Sequence, residues 1–112
     1  MLNDFPPCPI KGTERLAPLA SWLQINHELK TTGVEYEQFW DEAVHEGVAY
    51  FFQWVGHPRA TVLAIWQQRR LTHVEARKAK DEPLSQAEAE PIIAEVVHAF
   101  EKAGFINACK AR

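Results

Sequence analysis

Cysteine is scarce in this 112-residue chain: there are two, Cys8 and Cys109, near opposite ends. A pair so placed, with no Cys-x-x-Cys spacing, builds neither a zinc ribbon nor a disulfide scaffold and is expected as two free thiols in a reducing compartment. Glycine is scarce too. The five glycines are scattered, so neither a Gly-x-x-x-x-Gly-Lys loop nor a Gly-x-Gly-x-x-Gly turn can be written, which excludes a phosphate cradle of either type and argues against nucleotide-dependent chemistry. No apolar run approaches the roughly 18 residues that a bilayer span needs, and the amino terminus lacks a basic and an apolar leader region. The expectation is a cytoplasmic protein with no membrane partner. No strand-turn-helix elbow surrounds Ser21, Ser85, Cys8 or Cys109, so no catalytic, cofactor-binding or metal-ligating residue is assigned and no enzyme is expected.

What is present suffices for one core. Hydrophobic residues make up 46% and charged residues 24%, and four Trp, six Phe and two Tyr supply large buried side chains. Pro6, Pro7 and Pro9 make residues 1–12 an extended arm, which Phe5 and Ile10 can pin to the core. The spacing then predicts an all-α domain over 13–106, a bundle of four or five helices, with a tail over 107–112. A first helix starts between Thr13 and Pro18 and runs to Lys30, with two apolar facets: Leu16, Leu19, Ala20 and Leu23 on one, Trp22, Ile25 and Leu29 on the other. A second spans about Glu35 to Trp54 on a three- and four-residue apolar spacing, with Gly47 on its apolar face as a place for a neighbouring helix to approach. A third begins at Pro58 or Arg59, and the spacing leaves open whether it continues to residue 80. The Ser85-x-x-Glu88 capping box opens a fourth, whose stripe of Ile92, Val96 and Phe100 ends at Gly104. No turn of the hairpin type is evident, so no sheet is expected.

Three surfaces are candidates for function. Trp22, Ile25 and Leu29, with Phe52 and Trp54, exceed what one helix contact needs and form a candidate protein-binding surface. Arg69, Arg70, His73, Arg77, Lys78 and Lys80 face Glu75 alone among acids and are a candidate set for binding nucleic acid or an acidic partner; on a continuous helix Arg70, His73, Arg77 and Lys80 would form one stripe. Residues 1–56 carry three basic and eight acidic side chains, whereas 57–112 carry nine basic and seven acidic. Glu42-x-x-His45 and Glu95-x-x-His98 have the spacing of di-metal bundles, although both pairs lie on the polar sides of their helices, where solvated faces are the simpler account. The sequence thus favours a small non-enzymatic protein that binds another protein, as inhibitor, adaptor, immunity or regulatory subunit, with a homodimer among the options. A helical nucleic-acid-binding regulator is the alternative, and a metal-binding bundle the second.

Overall fold

A computed structural model describes residues 5–33, 40–56 and 58–109. The chain is not an all-α bundle: its described residues carry a five-stranded sheet and three α-helices. In chain order these are β1 (Leu16–Pro18), α1 (Trp22–Thr32), α2 (Trp40–His45), β2 (Ala49–Trp54), β3 (Ala60–Gln67), β4 (Arg70–Lys78), a 3-10 turn (Ala79–Asp81), α3 (Gln86–Lys102) and β5 (Ile106–Asn107). The strands lie in the order β1-β2-β3-β4-β5, each pair antiparallel except β4 with β5.

The reason for the correction is burial on both faces. Strand alternation places Tyr50, Phe52, Val62, Ala64, Val74 and Ala76 on the face covered by α3, with Ile92, Val96 and Phe100 of that helix and Phe105 beyond it. Phe51 and Leu63 point the other way, to a second cluster with Leu19, Ile25 of α1 and Val44 of α2. A strand covered on both faces needs apolar residues at successive positions, so it reads as a run and not as an alternation. A run satisfies helical spacing as readily as any other period, which is how Ala49–Trp54 and Val62–Trp66 mimic helix faces.

The helix signals that rest on caps survive. Ser85 accepts from the Glu88 amide at 3.1 Å while the Glu88 carboxylate accepts from the Ser85 amide at 3.0 Å, opening α3 with both halves of the box. Its stripe of Ile92, Val96 and Phe100 is fully buried. The first helix begins later than expected, at Trp22 behind the Ser21 cap, because 16–18 pair as β1. It ends at Gly33, whose φ of 73° and amide bond to the Leu29 carbonyl make a left-handed stop. Of the expected second helix only Trp40–His45 is helical, residues 34–39 lying outside the described residues. Gly47 is a stop, not a contact point: its φ is 80° and a Cβ there would meet nothing within 4 Å.

The expected third helix is the β3–β4 hairpin. Its two-residue turn, Gln68-Arg69, has φ of 53° and 63°, the left-handed pair that a tight hairpin needs, supplied here without Asn or Gly. Arg69 meets that strain with contacts of its own. Its guanidinium lies 4.5 Å from the centre of the Phe105 ring and donates to the Ala103 carbonyl at 2.5 Å, locking the turn to the end of α3.

Candidate functional site

The structure distributes the sequence candidates as follows. Ile25, Phe52 and Trp54 are buried, Trp22 and Leu29 half-buried against the α1-side cluster, so this set belongs largely to the two cores. The exposed apolar residue of α1 is Leu23, 80% accessible. The basic set falls on a turn and a strand, and the stripe it would form on a helix does not exist. Arg69 is tied to α3, Arg70 is exposed beside β5, and Lys80 sits in the 3-10 turn. His73 and Arg77 share a strand face with Glu75 between them. The Glu75 carboxylate accepts from Arg77 Nε at 2.5 Å and lies 3.1 Å from His73 Nε2, which makes the row self-neutralising. Lys78, on the opposite face, pairs with Glu88 at 3.1 Å.

Glu42 and His45 are exposed on α2, and Glu95 accepts from the Thr13 hydroxyl, which ties the segment before β1 to α3. Among the described residues no group of three or more His, Cys, Asp or Glu could hold a metal ion. No described helix is long and apolar enough to cross a membrane. Burial raises the pKa of both thiols and pushes Tyr50 up to about 12, with Cys8 adding to the shift, so none of these groups is an activated nucleophile. Among the described residues one buried acidic side chain remains. Glu28 of α1 accepts from Arg59 at 2.5 Å and from the Thr61 hydroxyl at 2.6 Å, a satisfied ion pair that pins α1 to β3.

What stays unsatisfied is backbone. At the β1 side of the sheet, Leu19 N–H bonds the Phe51 carbonyl and Val55 N–H the Arg15 carbonyl, so Leu16 and Pro18 turn their backbone groups outward by alternation. Both are neutralised: the Leu16 amide donates to Thr13 Oγ1 at 3.0 Å, its carbonyl accepts from the Thr13 amide at 3.0 Å, and Pro18 has no donor. At the β4 side, β5 covers Arg70 and Leu71 alone, and the Ala108 amide reaches the Leu71 carbonyl. At the far end Lys78 N–H bonds the Glu82 carbonyl, within a bridge between Arg77 and Pro83. Because Lys78 points outward, so do Ala76 and Val74, two and four residues before it. Among the described residues no strand pairs with 72–75 on that side, and the bridge sets Leu84 opposite Ala76.

Beside this opening runs a groove of about 920 Å³ between β4 and the first half of α3. Its apolar lining is Val74, Ala76, Leu84, Ala89 and Ile93, all half-buried, where a fully packed domain would bury them. Its polar lining is His73, Glu75 and Arg77, joined to one another through the Glu75 carboxylate, and Gln86, whose Nε2 donates to Glu90 at 3.3 Å. The Ser85 amide, and after it Lys78, hold the Glu88 carboxyl below its ordinary pKa. The arrangement offers two outward amides, an outward carbonyl and an apolar trough alongside. That is the equipment for adding a strand.

The expectation of helices and no sheet hides this edge, since it leaves open only whether a helix reaches residue 80. The available signal was the alternation of His73, Glu75 and Arg77 with Val74 and Ala76, a period of two that fits a half-covered strand. No family model, curated protein or solved structure matches the chain.

Proposed function

We propose that this protein is a non-enzymatic binding module that takes an extended segment of a partner protein as an added strand on β4. The carrying observation is the outward backbone of Val74 and the outward amide of Ala76, beside an apolar groove in a sheet whose other edge is closed, with the bridge at Pro83 setting Leu84 against the Ala76 carbonyl. Backbone bonds to the open edge supply affinity that does not depend on ligand sequence, and the groove reads alternate side chains. The ligand's opposite side chains meet the neutralised His73, Glu75 and Arg77 row, which tolerates polar residues.

The test is a displayed library of random heptapeptides, with the strongest binder then synthesised. N-methylation of its backbone at the residue opposite Val74 should abolish binding, because the methyl removes a donor and blocks the approach. Val74→Pro should do the same from the protein side while leaving the β3–β4 ladder intact, since the Val74 amide does not take part in it. Binding that survives both changes, with chemical-shift changes away from 72–76, would refute strand addition here.

A further inference from the structure

Away from the strand edge, we infer that the cavity between α3 and the segment before β1 binds an aliphatic carboxylate, a small molecule with one anionic head and an unbranched hydrocarbon tail. The cavity holds about 870 Å³ and is walled on two sides. One wall is the flank of α3 that carries Pro91, Ala94, His98 and Lys102, whose spacing puts them on one face of the helix, beside the face that Ile92, Val96 and Phe100 turn to the sheet. The other is 11–13, held against the helix by the bond from the Thr13 hydroxyl to Glu95. Gly12 lets that segment pass close to β1: a Cβ there would lie 2.7 Å from Pro18 Cδ and 2.8 Å from the Leu16 carbonyl oxygen.

Charge is divided along the cavity. Toward the end of α3 stand His98 and Lys102, one turn apart, and Lys11 enters from the facing segment, whereas toward its start the lining is Pro91 and Ala94. Among the described residues none pairs with Lys11, His98 or Lys102, and Glu95, the one acid of the lining, is already engaged by Thr13. Two ammonium groups and an imidazole thus meet a space whose acid is committed, which favours an anion. The carbonyls at the helix end oppose an anion, but Arg69 donates to the Ala103 carbonyl and offsets that field. The other end of the cavity is uncharged and apolar. From Pro91 to Lys102 the helix rises about 16 Å, the reach of a chain of roughly twelve carbons.

The experiment titrates dodecanoate, below its micelle concentration, into the full chain and follows the backbone amides by NMR. Saturable shifts are expected at 11–13 and 91–103, with decanoate binding about fourfold more weakly, the worth of two half-buried methylenes, and dodecyltrimethylammonium giving none. Lys11→Glu with Lys102→Glu, both at exposed positions, should weaken dodecanoate about thirtyfold. Ala94→Phe, also at an exposed position, fills the apolar end without changing charge and should erase the advantage of dodecanoate over decanoate. Equal affinity for dodecanoate and dodecyltrimethylammonium overturns the inference, as does dodecanoate binding that survives both sets of substitutions. The absence of saturable shifts at 91–103 with millimolar dodecanoate overturns it as well. Shifts of the same amides by vesicles of anionic phospholipid, and not by the free carboxylate, would assign the face to a membrane surface and overturn it too.

Discussion

The two edges of the sheet are built on opposite plans. β1 has three residues, and of its two outward-facing ones Leu16 is capped on both backbone groups by Thr13 while Pro18 has no amide to offer. β4 has nine residues, is covered by β5 for two of them and bridged at its far end, where Leu84 faces Ala76, and leaves Val74 directed outward between. Exposed edges invite unwanted pairing, and short strands, proline and side-chain caps are the ordinary means of closing them. All three means are used at β1. Among the described residues the longer edge is left open at Val74, with an apolar groove beside it, and the strand-addition proposal rests on that difference.

The comparison can be broken most severely by removing the wall of the groove. Phe100, fully buried, meets Phe52, Trp66 and Phe105 in ring contacts of 6.4, 5.6 and 5.0 Å, and holds α3 on the sheet. Phe100→Ala should cost about 3–5 kcal/mol, read from urea unfolding, and take peptide binding with it. Opening the protected edge is the next largest change. Thr13→Val with Pro18→Thr should lose about 1–2 kcal/mol and raise concentration-dependent association in sedimentation, whereas Thr72→Lys at the open edge should be nearly neutral for stability. A Thr13→Val, Pro18→Thr chain that stays as stable and monomeric as wild type would show that the β1 caps serve no protective role.

Smaller still is the effect of the α3 cap. Ser85→Ala should cost about 1 kcal/mol, seen as a melting shift of a few degrees. Acid titration sharpens the same point. The folded-state pKa of Glu88 is lowered, so its contribution is complete above the ordinary carboxylate value of 4.5 and is lost as pH falls through the lower folded value. Glu88→Gln should therefore flatten stability against pH below about 4.5, with little change in slope near neutrality.

These predictions rest on features of unequal legibility in the sequence. The Ser85-x-x-Glu88 box, the Ile92, Val96, Phe100 stripe and the Gly104 stop are local, and the structure has each of them where the spacing puts it. The sheet was hidden for two reasons. Its central strands are apolar on both faces, which erases the alternation that marks a strand. Its hairpin turns on Gln68-Arg69, a pair with no intrinsic preference for positive φ, held by a cation–ring contact to Phe105 that lies 36 residues further along. The basic residues of 69–80 were visible as a cluster, but a helix places them in one stripe and a strand divides them between faces, so the surface they form depended on the period assigned. The open edge could be seen only once that period was two.

Amide hydrogen exchange, resolved by residue in the ligand-free protein, tests the asymmetry of the edges most directly. The account predicts that the Val74 and Ala76 amides exchange near the rate of unstructured backbone, while the Leu16 amide, bonded to Thr13, and the ladder amides of β2 and β3 are slowed by orders of magnitude. It predicts further that Val74 and Ala76 become protected when a heptapeptide binds. Val74 and Ala76 amides as slow as those of β3 in the ligand-free protein would contradict it, since an edge already paired has nothing to offer a partner.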